Sequence, residues 1–234
     1  MKHAGDYGVD SSRIIISGDS FGGCVAAHIC QVLADRSDLP KVYAQALIYP
    51  VLQALDLSLP SYQQNRRSPI LWRRLVPFLC CYFFNKPTSF VDDILKNSHV
   101  PEATRRKYRK WVSADHIPER FKARGYTPPP PSPFNPRLHD EVKVVLTEMC
   151  SPLIAEDAVI SKLPQTFLLT CEFDVLRDDG LLYVRRLTDN GVPVTWSHVE
   201  DGFHGIAVVS GYRFMSFSIA KRIVHDFIDF IRRL

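Results

Sequence analysis

The 234 residues contain no Cys-x-x-Cys pair and no Asn-x-Ser/Thr acceptor, and neither a secretory signal peptide nor a long charge-free apolar span opens the chain. Without that cysteine spacing, a zinc site or a small disulfide framework is not expected from the six cysteines at positions 24, 30, 80, 81, 150 and 171. They leave the redox compartment open. Charge of neither sign dominates, since 29 Lys and Arg stand against 25 Asp and Glu for a net +4. The basic residues gather in the middle third as Arg66-Arg67, Arg73-Arg74, Arg105-Arg106-Lys107 and Arg109-Lys110, without forming one tract. Such short clusters suit a solvated face better than an anionic partner or a membrane surface, and nothing in them calls for nucleic acid. Apolar residues are plentiful at 46%, enough for one substantial core with room for an inserted subdomain.

The most informative stretch is Ile14-Ile15-Ile16-Ser17-Gly18-Asp19-Ser20-Phe21-Gly22-Gly23. Three isoleucines read as a buried strand, and Gly18-Asp19-Ser20-Phe21-Gly22 fits Gly-x-Ser-x-Gly, a sharp strand-to-helix turn that presents its serine as a nucleophile. The glycines two before and two after Ser20 let strand and helix approach closely. Cys24 to Leu33 follows as a helix, small near the turn and apolar at helical spacing.

Lys41 to Pro50 reads as a second strand, which makes a βαβ unit of a parallel sheet. From Val51 to about Cys150 prolines punctuate short helical or irregular pieces, and Pro128 to Pro131 form a polyproline-like connection. Ile70 to Phe84, apolar but broken by two arginines and a proline, reads as a lid helix or interfacial segment in which replacing Leu75 and Phe78 with aspartate should cost long-chain esters more than a short soluble one; an ordinary cap helix is the plainer alternative. Regular alternation returns with a strand at Gln165 to Thr170, a helix carrying Leu181 to Leu187, and a strand at Val192 to Val199. Phe217 to Leu234 reads as an amphipathic helix with Ile219, Ile223, Phe227, Phe230 and Ile231 inward and Arg222, Asp226 and Arg233 outward.

Ser20, Asp174 and His204 each follow a strand, where open parallel sheets gather reactive groups, and they occur in the order Ser, Asp, His. Taken singly, Asp174 could cap the following helix and His204 could be a satisfied loop histidine. Asp178 and Asp179 are rival candidates for the acid.

Gly18 to Gly23, Asp174-Val175-Leu176-Arg177-Asp178-Asp179-Gly180 and Gly202-Phe203-His204-Gly205 resemble the arylacetamide deacetylase-like group in the hormone-sensitive-lipase branch of the α/β-hydrolases. The resemblance covers essentially the whole chain and implies an α/β-hydrolase fold with a partial parallel sheet and an inserted, mainly helical cap. Residues 1–52 would form the first part of the core, 53–150 the cap and 151–234 the second part of the core. It implies a serine carboxylesterase, lipase or deacetylase acting on apolar acyl esters, amides or lipids, without cofactor or metal. Ser20 would be the nucleophile, His204 the base, Asp174 the acid, and the Phe21 N–H one oxyanion donor. Where the group usually has alanine, Phe21 is expected to narrow or redirect the pocket. The His-Gly-Gly-Gly-type loop that supplies the group's other oxyanion donors does not occur before Ser20, so the remaining donors are absent from this chain. The sequence therefore reads as an N-terminally truncated form, and an inactive or interaction-only fragment is the second reading. The group's membrane anchor implies the lumenal side of the endoplasmic reticulum membrane, with the cap in contact with the membrane surface.

Overall fold

The structure is a computed structural model that describes residues 3–209 and 218–234; Phe217, expected to open the last helix, lies outside the described residues. Four parallel strands, β1 (Ile15–Asp19), β2 (Ala44–Ile48), β3 (Gln165–Phe173) and β4 (Val194–Phe203), lie side by side in chain order. Their register pairs Ile15 with Ala44, Ala44 with Gln165 and Thr166 with Val194. Helix α1 (Phe21–Ala34) joins β1 to β2 as the crossover of a βαβ unit.

Because side chains alternate across a strand, β2 and β3 supply two separate cores. Leu47 and Leu168 pack with Ala26 and Ala27 of α1 on one face. Ala44, Ala46, Phe167 and Leu169 pack with Ile219, Ile223 and Phe230 on the other. These last three belong to the C-terminal helix, whose Asp226 is tied at 2.7 Å to Ser197 Oγ and does not simply face solvent. The buried strand expected at Ile14 to Ile16 is a different case. All three isoleucines are only half-buried, because among the described residues β1 is the sheet's edge and has one neighbour.

Between β2 and β3 the cap carries α2 (Pro60–Gln64), α3 (Leu75–Phe83), α4 (Val91–Ile94), α5 (Glu102–Tyr108) and α6 (Pro136–Val142), and α7 (Asp157–Ile160) leads back to the sheet. Just before α3, Ile70 has φ 64° while the Leu71 N–H reaches the Pro69 carbonyl at 2.7 Å. This is a strained γ-turn around a β-branched residue.

After β3 comes α8 (Arg177–Asp189), after β4 a short α9 (Ile206–Val209), and the chain closes with α10 (Ser218–Arg233). The sequence placed the end of β3 at Thr170 and that of β4 at Val199. Both strands continue, through a register shift between Cys171 and Phe173, so Asp174 and His204 each follow the last strand residue directly. Helix α8 also begins earlier than Leu181, which puts Asp178 and Asp179 in its first turn, where the helix dipole favours negative charge.

Candidate active site

At the end of β1 the chain reverses sharply. Ser20 sits at φ 54°, ψ −122°, and α1 begins at the next residue. A non-glycine residue held there costs on the order of 1–3 kcal/mol, so its neighbours must fix it. The Ser20 N–H donates to the Ile48 carbonyl at 2.9 Å, and the Ser20 carbonyl accepts from Gly23 N at 3.1 Å and Val51 N at 3.3 Å. A Cβ at Gly18 would collide with the Gly22 carbonyl, and one at Gly23 would lie 2.7 Å from Pro50 Cβ. Strand and helix meet closely enough only without those side chains.

Ser20 Oγ lies 2.9 Å from His204 Nε2, and His204 Nδ1 lies 2.7 Å from Asp174 Oδ2. A carboxylate can only accept, so Nδ1 carries the proton toward Asp174 and Nε2 is left to accept from the serine hydroxyl, a tautomer assigned from the hydrogen-bond network. Asp174 is completely buried, and its Oδ1 accepts from the Leu176 N–H at 2.8 Å. The Tyr49 ring packs on the imidazole at 4.9 Å between centroids. Phe21, the residue after Ser20, has its N–H in the first turn of α1, where a backbone donor has no intrahelical partner.

The two rival acids lie elsewhere. Asp178 accepts from Arg177 Nε at 2.9 Å and from the Ser61 N–H at 2.7 Å. Asp179 accepts from the Leu52 N–H at 3.1 Å and from Gln53 Nε2 at 2.9 Å, and burial pushes its carboxyl up to about 7. Both fasten α8 to the beginning of the cap.

A cavity of about 290 Å³ opens beside Ser20, lined among others by Phe21, Val51, Leu57, Val76, Leu79 and Phe83, with no charged side chain in its wall. Leu75 and Phe78, named from the sequence as positions that affect long-chain esters, are not in that wall. Val76, Pro77, Leu79, Cys80, Tyr82 and Phe83 of α3 line the cavity, which leaves Leu75, packed against the main core, and Phe78 outside it. A larger cavity of about 1230 Å³ lies beneath Pro128 to Pro133 and includes none of Ser20, Asp174 and His204. Among the described residues no group of three or more His, Cys, Asp or Glu side chains is arranged to hold a metal ion.

A strand-turn-helix serine, an imidazole and a buried acid at the ends of parallel strands define an α/β-hydrolase. The sequence model of the alpha/beta hydrolase fold family matches residues 1–98 and 137–208, and the chain belongs to that family. Within it the similarity runs to the arylacetamide deacetylase-like group. Arylacetamide deacetylase-like 3 of Homo sapiens is 48% identical over 238 residues, covering 100% of this chain and 58% of the relative. Neutral cholesterol ester hydrolase 1 of Pongo abelii is 42% identical over 231 residues, covering 96% of this chain and 56% of the relative. The chain thus spans a little over half the length of these curated relatives. Among solved structures a bacterial heroin esterase superposes with a TM-score of 0.63 at 24% identity, over 99% of this chain and 55% of the other, which is a likeness of fold.

Proposed function

We propose that this chain carries the catalytic centre of a serine carboxylic-ester hydrolase acting on apolar acyl esters or amides. The observation that carries the reading is the pair of contacts linking Ser20 to His204 and His204 to Asp174, 2.9 and 2.7 Å long, beside an uncharged cavity. His204 Nε2 takes the Ser20 hydroxyl proton as Oγ attacks the acyl carbon, and the carbonyl oxygen, now negative, turns to the Phe21 N–H. His204 then returns the proton to the departing alcohol or amine. Asp174 holds the imidazole by Nδ1 and stabilises its positive charge, and a water, activated the same way, releases the acyl group. The similarity to proteins named as deacetylases and ester hydrolases supports this reading over an inactive or interaction-only fragment.

The same reading extends to lipid-borne substrates. Ile70, Tyr82 and Phe83 are 47%, 77% and 65% exposed, the last two in the cavity wall and Ile70 3.5 Å from where a Cβ on Gly205, next to His204, would stand. Tyrosine and phenylalanine exposed in this way suit a membrane surface. Vesicle co-sedimentation that Tyr82→Asp and Phe83→Asp leave unchanged would remove that extension. Residence on the lumenal side of the endoplasmic reticulum membrane is likewise proposed from the family resemblance; no described helix is long and apolar enough to cross a membrane.

A fluorophosphonate probe tests the central claim, because only a serine activated by its histidine reacts rapidly. Labelling should disappear in Ser20→Ala and fall sharply in His204→Ala. A Ser20→Ala protein that still labels at the parent rate would overturn it.

A further inference from the structure

Four consecutive carbonyls, those of Glu172, Phe173, Asp174 and Val175, accept hydrogen bonds from side chains of one short stretch of the cap. Asn65 Nδ2 donates to the Glu172 oxygen at 3.0 Å and to the Asp174 oxygen at 2.8 Å. Ser68 Oγ donates to the Phe173 oxygen at 2.6 Å, and Ser61 Oγ to the Val175 oxygen at 2.6 Å. The orientation of the Asn65 amide is fixed from its far side, where Oδ1 accepts at 3.0 Å from Arg124, a group that can only donate.

The need for these donors follows from the sheet. The last paired residue of β2, Ile48, sits opposite Leu169, and Tyr49 N–H satisfies the Leu169 carbonyl at 2.9 Å. Beyond that point β3 has outrun β2, and the carbonyls of the buried Asp174 and Val175 must find other partners, while that of Glu172 also accepts from Arg124 at 2.9 Å and that of Asp174 from the Arg177 N–H at 3.2 Å. Ser61 and Asn65, 0% and 3% exposed, bring those partners in from α2 and the residue after it. The same helix is held to the start of α8 through the bond from Ser61 N to Asp178.

We infer that Asn65, with Ser61 and Ser68, positions the triad acid from the cap, so that the cap governs the alignment of His204 as well as the shape of the acyl cavity. This rests on the proposed role of Asp174. The Asp174 carboxylate has two short torsions between its oxygens and the backbone, with Oδ1 held by Leu176 N and Oδ2 by His204 Nδ1. Its reach is therefore set by where its backbone lies, and Asn65 brackets that backbone on both sides of Phe173. Asn65 is a positioning residue, acting on the imidazole only through Asp174.

Asn65→Leu keeps much of the volume and removes both donors. It should lower kcat on a short nitrophenyl ester roughly ten- to a hundredfold, in line with the cost of a small misplacement remote from the reacting atoms, while KM stays the same. In proton NMR the low-field signal of the His204 Nδ1 proton should move or vanish. Gln63→Ala serves as the control, since Gln63 lies in the same helix and its amide donates to the Ser58 and Thr127 carbonyls and not to the acid loop. It should change neither reading. Ser68→Ala, losing a single grip, should show the same signature at smaller amplitude, and it replaces Asn65→Leu if that protein does not fold. Unchanged kcat and an unchanged His204 signal in the folded variant would overturn the inference, as would equal effects in Gln63→Ala. The NMR signal is read whether or not turnover is measured, so a parent protein whose Ser20 resists the fluorophosphonate would sink the hydrolase reading and leave the positioning claim to be judged by the spectrum.

Discussion

Phe21 and Phe83 pack ring against ring, their centroids 5.2 Å apart and their planes tilted by 57°. One follows Ser20 and the other ends α3, so this contact ties the turn at Ser20 to the cap at the cavity wall. Phe21→Ala should open the wall and loosen the contact together. We expect kcat/KM to rise for esters with branched or aromatic acyl groups relative to acetate. A ratio unmoved by the substitution would show that Phe21 does not shape the cavity.

Substitutions of Ser20, His204 and Asp174 should separate their proposed roles. Ser20→Ala and His204→Ala are expected to abolish ester hydrolysis, while Asp174→Asn should cost roughly ten-thousandfold by setting the wrong histidine tautomer, as in serine proteases. Asp178 and Asp179 were rivals in the sequence, and their fully buried positions change what their variants should do. Asp178→Ala leaves the buried Arg177 with Glu172 as its remaining carboxylate and the Ser61 N–H without its acceptor, so its main effect should be a loss of thermal stability. Steady-state kinetics beside thermal unfolding distinguishes the two patterns.

Cavity size should set acyl preference. Val76→Trp places a large ring in a wall that encloses about 290 Å³. If it expels four methylenes of a medium-length chain, the lost burial is about 3 kcal/mol, or roughly a hundredfold in kcat/KM. Acetate esters should be hydrolysed almost as before, and a matched loss on acetate and octanoate would refute the assignment of this cavity to the acyl group.

His99 lies completely buried in the cap, with Nε2 2.8 Å from the Ala54 carbonyl. Burial pushes its imidazole down to about 4, with Arg105 and His139 adding to the effect and the Ala54 carbonyl opposing it. The unfolded chain takes up this proton near pH 6.5. Between that pH and about 4 the unfolded state thus binds a proton that the folded state refuses, and stability falls as pH falls through the window. Asp179, pushed up to about 7, slopes the other way, so the raw profile mixes the two. The difference between parent and His99→Gln isolates one of them. Urea unfolding should show the parent losing about 2 kcal/mol more than the variant between pH 7 and pH 5; parallel profiles would contradict a neutral buried His99.

What was legible in the sequence was what depends on neighbours along the chain. Gly18, Ser20 and Gly22 announce their turn within five residues, and Asp174 and His204 were placed beyond strands because each follows an apolar run by a few residues. Less local features were hidden. The ends of β3 and β4 were missed because Glu172 and Asp201 look like loop residues, yet Glu172 is held at 2.8 Å by both Arg124 and Arg177. The half-burial of Ile14 to Ile16 depends on how many strands flank them, which an apolar run does not encode. On α3 the choice between Leu75 and Val76 is a rotation of about 100°, set by packing partners far away in sequence. The grip of Asn65 on the acid loop spans 107 and 109 residues, and the only local trace is a polar cluster, Ser61 to Asn65, in a place that must be buried.

The hydrogen bonds from residues 61–68 to the carbonyls of Glu172 to Val175 also decide where this chain can be recombined with a relative's. A chimera that takes its foreign cap from residue 53 onward would exchange the donors while keeping the acceptors, and would inherit someone else's alignment of the acid. One that crosses over after Ser68 keeps donors and acceptors from the same parent. The later junction should give hybrids whose substrate range follows the donor of the cap while their turnover follows the donor of the core.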